Sequence, residues 1–305
     1  MKIQQLRFFV AVYEEGSFSA GAIRVNATQS GLSMHVRQLE NRYGVTLLTR
    51  SSTGVEPTEA GRTFYKMALE TLNAASRAED TLRELSGAVS GQIDVGLMPT
   101  FTGSILGSTL LRFSREYPHV RVSIHEAYSA NLSNQVAEGI LDFAVVPAVS
   151  NELGLDAVKM AVDRECLVCA GDSDLLRHSK APLKELGPLR LILPTKVNAR
   201  RARIDNYIAA NEIKVVEMME LDAMLGTLDI VANSEWVSIL PGILGRADRD
   251  GIKRRFTPLE KPPLAVEYMR ISHKARPLNR AAQVFLDTLQ EELNIALGDV
   301  DSGVL

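Results

Sequence analysis

The side chains best placed to make specific contacts lie in one run, NATQSGLSMHVRQLENRYG, from Asn26 to Gly44. At helical spacing Leu32, Val36, Leu39 and Tyr43 form an apolar back. Ser30, Ser33, Met34, Arg37 and Asn41 form the front, with Gln29 at its head. Thr28 is placed to cap this helix by accepting a backbone N–H of the first turn, and Gly44 to end it. The chemistry open to such a front is hydrogen bonding at close range, through small hydroxyls, an amide and one guanidinium. A plain solvated face is the alternative, although such a face ordinarily carries more charge.

Other constellations offer less. Cys166 and Cys169 have metal or redox spacing, but on a strand residues three apart face opposite ways, so the pair cannot close on one ion. They read as two buried small side chains. The five histidines (His35, His119, His125, His178, His273) carry no ligand spacing; His35 lies on the quoted helix, within reach of whatever that helix meets or of a second protomer. Trp236, the sole tryptophan, is expected in the core. No Walker loop, GxGxxG or GxSxG occurs, so nucleotide hydrolysis, dinucleotide redox and serine hydrolysis have no support, and neither a cofactor nor a metal is expected.

Around the quoted run the first 57 residues read as short helices. IQQLRFFVAVYEE sets Ile3, Leu6, Phe9, Val10 and Tyr13 on one stripe, and Gly16 stops it. Ser17 or Ser19 can cap the next helix, AGAIRVN. VTLLTRSSTGVEPT alternates around a Ser-Ser-Thr-Gly turn and reads as a two-stranded wing. Three helices and a wing make a winged helix-turn-helix. A long helix follows from Thr58-Glu59 to about Leu85. Positions 61, 64, 68, 71, 75, 78, 82 and 85 step by three and four along it, the 3.5-residue spacing of a two-helix seam. SGAVSGQ then breaks the pattern as a linker.

From Gln92 onward strands and single helices alternate: QIDVGLM, VRVSIHEA, DFAVVP, ECLVCA, LRLILP, KVVEMME and WVSILP are strands. TGSILGSTLLRFSREYP, NLSNQVAEG, ARRARIDNYIAAN and DAMLGTLDIVAN are helices. That alternation predicts parallel crossovers and an α/β fold, in two lobes for so long a run. The residues after Leu293 are expected to fray. The fold class is therefore α+β multidomain: a DNA-binding-type domain over 1–58, a linker or dimerisation helix over 59–90, and a two-lobed α/β domain over 91–305. One lobe is expected at about 91–162 with 267–300, the other at about 163–266.

The chain has 305 residues, 46% hydrophobic and 23% charged, with two cysteines and a formal charge of −3. No apolar run is long enough to span a membrane, and the N-terminus lacks a signal-peptide core, so a cytoplasmic chain without membrane partners is expected. Residues 1–66 hold eight basic and five acidic side chains. A mildly basic head on an acidic body suits a local nucleic-acid contact.

This order of parts resembles the LysR-type transcriptional regulators. The resemblance rests on Ser17-Phe18, Ala22, Thr28-Gln29, Leu32-Ser33, Leu39-Glu40, Gly44, Leu47, Arg50 and Thr58 with Ala60-Gly61, and extends in architecture to the whole chain. The chain departs from the pattern at Gly31, where alanine is usual, at Met34, where arginine is common, and at Leu48 for phenylalanine; NSEWVSILP lacks the usual paired glycines. The resemblance implies a regulator that binds double-stranded DNA at imperfect inverted repeats, as a homodimer or homotetramer, under control of a small-molecule effector. On that reading Gln29 pairs with adenine, Ser30 and Ser33 bond phosphate or base, and Thr28 turns the helix dipole toward phosphate. Arg37 reaches phosphate or guanine, and Arg50 serves the flanking backbone.

The effector belongs between the lobes, where strand ends and helix starts meet. Thr100 and Thr102 follow the first strand, Ser129 and Asn131 the second, and Thr195 and Asn198 the stretch LILPTKVNARR. Each is also an ordinary capping type. Hydroxyls with free N–H groups make a carboxylate cradle, so a small organic carboxylate, aromatic among the options, is expected. Arg200 and Arg201 either add charge there or lie on a solvated face. The rival reading is an enzyme or solute-binding protein on the same scaffold. It requires a catalytic acid/base pair, for which the sequence offers no candidates, and leaves residues 1–57 without a use.

Overall fold

The computed structural model describes residues 1–51, 54–84, 89–147, 154–176 and 183–301. Ser52 and Thr53 of the wing turn, Leu85 of the seam, His178 and the opening of the linker run lie outside them. The chain divides into two compact units, residues 1–88 with 138–140, and residues 89–137 with 141–305.

In the first unit, helix α1 (Ile3–Glu15) is followed by α2 (Phe18–Arg24) and α3 (Gln29–Tyr43), then by the antiparallel strands β1 (Leu48–Ser51) and β2 (Gly54–Pro57) and the long α4 (Glu59–Glu84). α1 is the central element. It buries Leu6, Phe9 and Val10 as its spacing predicts, but also Phe8, Ala11 and Val12, because α2, α3 and α4 all pack on it. Ile3, first of the expected stripe, stays 40% exposed below those contacts, and Tyr43 is 56% exposed in the last turn of α3. α2 starts on Ser17, whose hydroxyl accepts from Ala20 N at 3.4 Å. The seam of α4 divides in two. Its first turns are core of their own domain: Ala68 is 1% exposed and the Phe64 ring lies 5.1 Å from that of Phe9. Gly61 is required there, since a Cβ would stand 2.1 Å from the carbonyl oxygen of Leu47. Farther on, Thr71, Ala78 and Leu82 are exposed.

The second unit is built on a sheet ordered β4-β3-β5-β11-β6-β9-β7-β8, with β10 also paired to β6. Its strands are β3 (Gly91–Leu97), β4 (Val120–Glu126), β5 (Phe143–Val146), β6 (Leu155–Ala170), β7 (Leu189–Leu193), β8 (Val215–Glu220), β9 (Val237–Pro241), β10 (Arg254–Pro258) and β11 (Ala265–His273). The helices are α5 (Pro99–Thr102), α6 (Leu106–Glu116), α7 (Ser129–Glu138), α8 (Arg201–Ala210), α9 (Met224–Ala232) and α10 (Arg280–Asp301).

The expected parallel pairing holds among β3, β4 and β5 and among β7, β8 and β9. β6, β10 and β11 run antiparallel, which makes the sheet mixed. β6 is one sixteen-residue strand serving both lobes. Its first part pairs with β11; from Glu165 it pairs with β9, and from Cys166 with β10. The single helix expected after β3 is broken into α5 and α6. The end expected to fray is helical to Asp301, because Leu289, Leu293 and Ala296 recur at four- and three-residue steps and are fully buried. Cys166 and Cys169 do face opposite ways: one packs with Val168 and Ile192, the other with Leu167 and Leu191. Burial raises the pKa of both thiols.

Candidate functional site

Two places bring functional side chains together, one in each unit. In the first, α3 starts at Gln29 because Thr28 is extended and its hydroxyl accepts from Gly31 N at 3.2 Å. A Cβ at position 31 would sit 2.9 Å from that hydroxyl, so the unusual glycine leaves room for the cap. Leu32, Val36 and Leu39 are buried against the domain core, which turns the other side outward. Thr28, Gln29, Ser30 and Arg37 are exposed there, with Ser33 half-buried beside them. The Ser30 hydroxyl donates to that of Thr28 at 3.4 Å, while among the described residues the side chains of Gln29 and Arg37 have no partner.

The wing is held to this helix through Glu40, whose carboxylate accepts from Leu47 N at 2.7 Å and Leu48 N at 3.2 Å. Its second strand is tied to the turn after α1 by Val55 N donating to Gly16 O at 2.8 Å. Arg50 is exposed on the wing with its guanidinium 5.2 Å from the centre of the Phe18 ring. His35 does not belong to the front: its ring stands edge-on to Phe8 at 5.2 Å. A helix N-terminus, an amide and a guanidinium exposed on α3, with a second guanidinium exposed on the wing, can bond phosphates and base edges.

The second place is a cleft between the lobes of the sheet domain. Met98, Pro99, Thr100, Tyr128 and Ser129 line it from the ends of β3 and β4. Facing them are Ile192, Leu193, Pro194, Asn198, Arg200, Leu221, Met224, Thr227, Ser238 and Leu240. Of the six residues expected here, Thr100, Ser129 and Asn198 line the cleft. Thr102, Asn131 and Thr195 do not. The hydroxyl of Thr102 turns to Pro99 O and the Glu126 carboxylate; that of Thr195 turns to the Asp222 carboxylate, which also accepts from Thr195 N at 3.1 Å. Asn131 is exposed and accepts from Gln135 Nε2 at 2.6 Å.

Thr100 and Thr227 are 3% and 5% exposed, and among the described residues neither hydroxyl has a hydrogen-bond partner. The other lining hydroxyls include Ser238, which donates to Ile192 O at 2.8 Å, and Tyr128, which reaches across the cleft to Asp222 O at 2.9 Å. The cavity is about 30 Å³, room for roughly two waters.

Neither arginine lies on a solvated face. Arg200 is 8% exposed; its Nε and Nη2 donate to Glu165 at 2.8 and 2.5 Å, and Nη2 also donates to Ile239 O at 3.0 Å. Burial pulls its pKa down, but Glu165 holds it above the ordinary value. Arg201 is taken up by Asp205, Glu220 and Pro194 O. Behind them, where β6 passes between lobes, Asp163 is 1% exposed. One carboxylate oxygen accepts from Ile243 N at 3.2 Å and Tyr268 Oη at 2.9 Å; the other has no partner among the described residues. Burial pushes this carboxyl up to about 7.

Tyr128, Thr227, Ser238, Glu165 and Asp163 were not singled out in the sequence. Tyr128 adjoins an expected residue, and its position before Ser129 at a strand end is a usable signal. Thr227 sits inside a helix with no motif, and Glu165 meets Arg200 across 35 residues of chain.

Comparison with known proteins bears on both places. The family described as "LysR substrate binding domain" matches residues 86–294, and that described as "Bacterial regulatory helix-turn-helix protein, lysR family" matches residues 3–62. The chain is 27% identical to the uncharacterized HTH-type transcriptional regulator YfeR of Shigella flexneri, over 96% of this chain and 94% of that protein. It is also 27% identical to the nitrogen assimilation regulatory protein nac of Escherichia coli (strain K12), over 81% of this chain and 80% of the relative. In fold it is similar to a full-length OxyR variant from Pseudomonas aeruginosa, with a TM-score of 0.72 at 20% identity and 95% of each chain covered. It is likewise similar to full-length CbnR complexed with its target DNA, with a TM-score of 0.66 at 21% identity, covering 97% of this chain and 100% of that one.

Proposed function

Because the chain belongs to the LysR family of DNA-binding transcriptional regulators with an effector-binding domain, we propose that it reads promoter DNA through the open front of α3 and answers to a small molecule in the cleft. The observation that carries the first half is the exposed, capped start of α3, with Gln29 and Arg37 left without partners among the described residues. Gln29 supplies the bidentate amide that matches adenine. Ser30, Ser33 and the N–H groups behind Thr28 meet phosphate, and Arg37 and Arg50 bind the flanking backbone.

One such unit makes few phosphate contacts, so two are required for a tight site, and a symmetric pair calls for an imperfect inverted repeat. The pairing surface is the exposed stretch of α4, with Leu82 69% exposed, together with the apolar groove lined by Met1, Tyr43, Val45 and Met67 at its start. This makes the protein a homodimer, or a homotetramer if the effector domains pair separately. No helix of the described residues is long and apolar enough to cross a membrane, and a DNA-bound regulator works in the cytoplasm.

The effector half rests on Thr100 and Thr227, buried residues on opposite walls of the cleft whose hydroxyls have no partner among the described residues. A cavity of about 30 Å³ is too small for an organic molecule. Entry therefore parts the lobes, breaking the bridge from Tyr128 to Asp222, and that change of angle is what the DNA-binding units feel. The sequence pointed to a small carboxylate; the one cation lining the cleft among the described residues, Arg200, is however already paired with Glu165.

The test is binding of the full-length protein to DNA upstream of its own gene, by fluorescence anisotropy. Gln29→Ala with Arg37→Ala should abolish preference for that DNA over random duplex. Unchanged preference in this variant would remove α3 as the reading element.

A further inference from the structure

Resting on the reading of the cleft as the effector site, we infer that the effector is an uncharged molecule and that Glu165 is the residue that bars carboxylates. The only cation lining the cleft among the described residues, Arg200, is already matched by a carboxylate at 2.8 and 2.5 Å. Both partners are buried, with side chains 9% and 4% exposed. A second carboxylate on this guanidinium would leave one buried negative charge without a counter-ion, a far worse arrangement than the pair alone.

The surrounding groups deepen that penalty. Asp222 and Glu126 stand at the ends of β8 and β4, each bonded by a threonine hydroxyl. What the cleft leaves free is neutral hydrogen-bonding capacity: the hydroxyls of Thr100 and Thr227, and Nη1 of Arg200, which makes no hydrogen bond to the described residues. The rest of the lining is mixed: Met98, Ile192, Leu221 and Met224 are apolar, while Tyr128, Ser129, Asn198 and Ser238 are polar and uncharged. An uncharged molecule with a carbonyl or hydroxyl oxygen meets all of these; the oxygen accepts from Arg200 Nη1 while Glu165 continues to balance its charge.

The test compares acetate and benzoate with acetamide and benzamide, by calorimetric titration and thermal shift on the full-length protein. Wild type should bind neither carboxylate in the cleft. Glu165→Gln frees Arg200 and should bind benzoate at least about tenfold more tightly than wild type, roughly 1.4 kcal/mol. Adding Arg200→Met should erase the gain. Benzoate or acetate binding to wild type that is lost in Arg200→Met overturns the inference, as does a folded Glu165→Gln protein without the gain. If Glu165→Gln does not fold, the wild-type titration decides alone: carboxylate binding lost in Thr100→Val overturns the inference, and its absence upholds it. A probe bound equally well by the Thr100→Val, Thr227→Val double variant lies elsewhere, and overturns the cleft reading itself.

Discussion

Replacing Asp163 by asparagine should remove the loss of stability with rising pH that this carboxyl imposes on the effector domain. In the folded chain this carboxyl is held to about 7 by burial, whereas in the unfolded chain it titrates near the ordinary aspartate value of about 4. Between those limits the folded state holds a proton that the unfolded state has released. The stability linked to this group is therefore complete below about pH 4, falls as pH rises, and is lost above about pH 7. A thousandfold difference in proton affinity corresponds to about 4 kcal/mol, an upper bound on the penalty at pH 8.

Asparagine carries no charge and keeps an acceptor oxygen for Ile243 N and Tyr268 Oη. Its amide nitrogen takes the place of the carboxylate oxygen that has no partner, and a buried unpaired donor costs about 1–3 kcal/mol. The net expectation is a variant about 1–3 kcal/mol more stable than wild type at pH 8, and no more stable, or less so, at pH 5. Urea unfolding followed by the fluorescence of Trp236, which packs on the buried cluster of Cys166, Val168 and Ile192, reads this directly from pH 5 to 8. Parallel stability curves for the two proteins would refute the reasoning, because they would mean that Asp163 titrates normally in the folded chain.

Three further outcomes are expected. Arg37→Ala should weaken binding about equally on all duplexes and lower the salt slope by about 1, whereas Gln29→Ala should cost about 1–3 kcal/mol on the cognate site alone; anisotropy at several salt concentrations separates them. Thr100→Val should abolish the effector response in a promoter-reporter assay while leaving DNA affinity unchanged; loss of both would make the residue structural. Gly61→Ala should destabilise the DNA-binding unit by about 2–3 kcal/mol, since the new methyl meets the Leu47 carbonyl oxygen at 2.1 Å. Its melting transition should drop, and an unchanged transition would show that α4 can shift without cost.

The legible parts of the fold were those fixed by local pattern. Thr28, Gly44 and the stripe of Leu32, Val36 and Leu39 specify α3 within their own run of sequence, and the structure builds it from those residues. The seam of α4 was legible as a period but not as a destination. A three-and-four spacing serves equally for a partner helix and for α1, and Phe64 and Ala68 turned out to face α1. In the sheet domain the β/α alternation located β3 to β5 and β7 to β9, yet gave no sign that β6 crosses both lobes or that β10 and β11 run against it, because direction is set by distant partners. The cleft shows the same limit. Threonines at strand ends are visible in sequence, but which of them stay free depends on whether a carboxylate such as Glu126 or Asp222 lies close enough to take the hydroxyl.

That distinction separates the two functional places. On the front of α3 the side chains of Gln29 and Arg37 have no partner among the described residues and remain open to a polyanion, whose attraction is long-ranged and weakened by salt. In the cleft the one lining cation among the described residues, Arg200, is matched by Glu165, and what is left over is uncharged polar groups and one edge of a guanidinium. An interior arranged in this way has little long-range field to offer a ligand, so recognition depends on fit and hydrogen bonds at contact distance. DNA binding should therefore fall steeply with added salt while effector affinity barely changes. The same salt series on one protein sample reads both, and a steep salt dependence of effector binding would mean that a charge in the cleft is not matched as described.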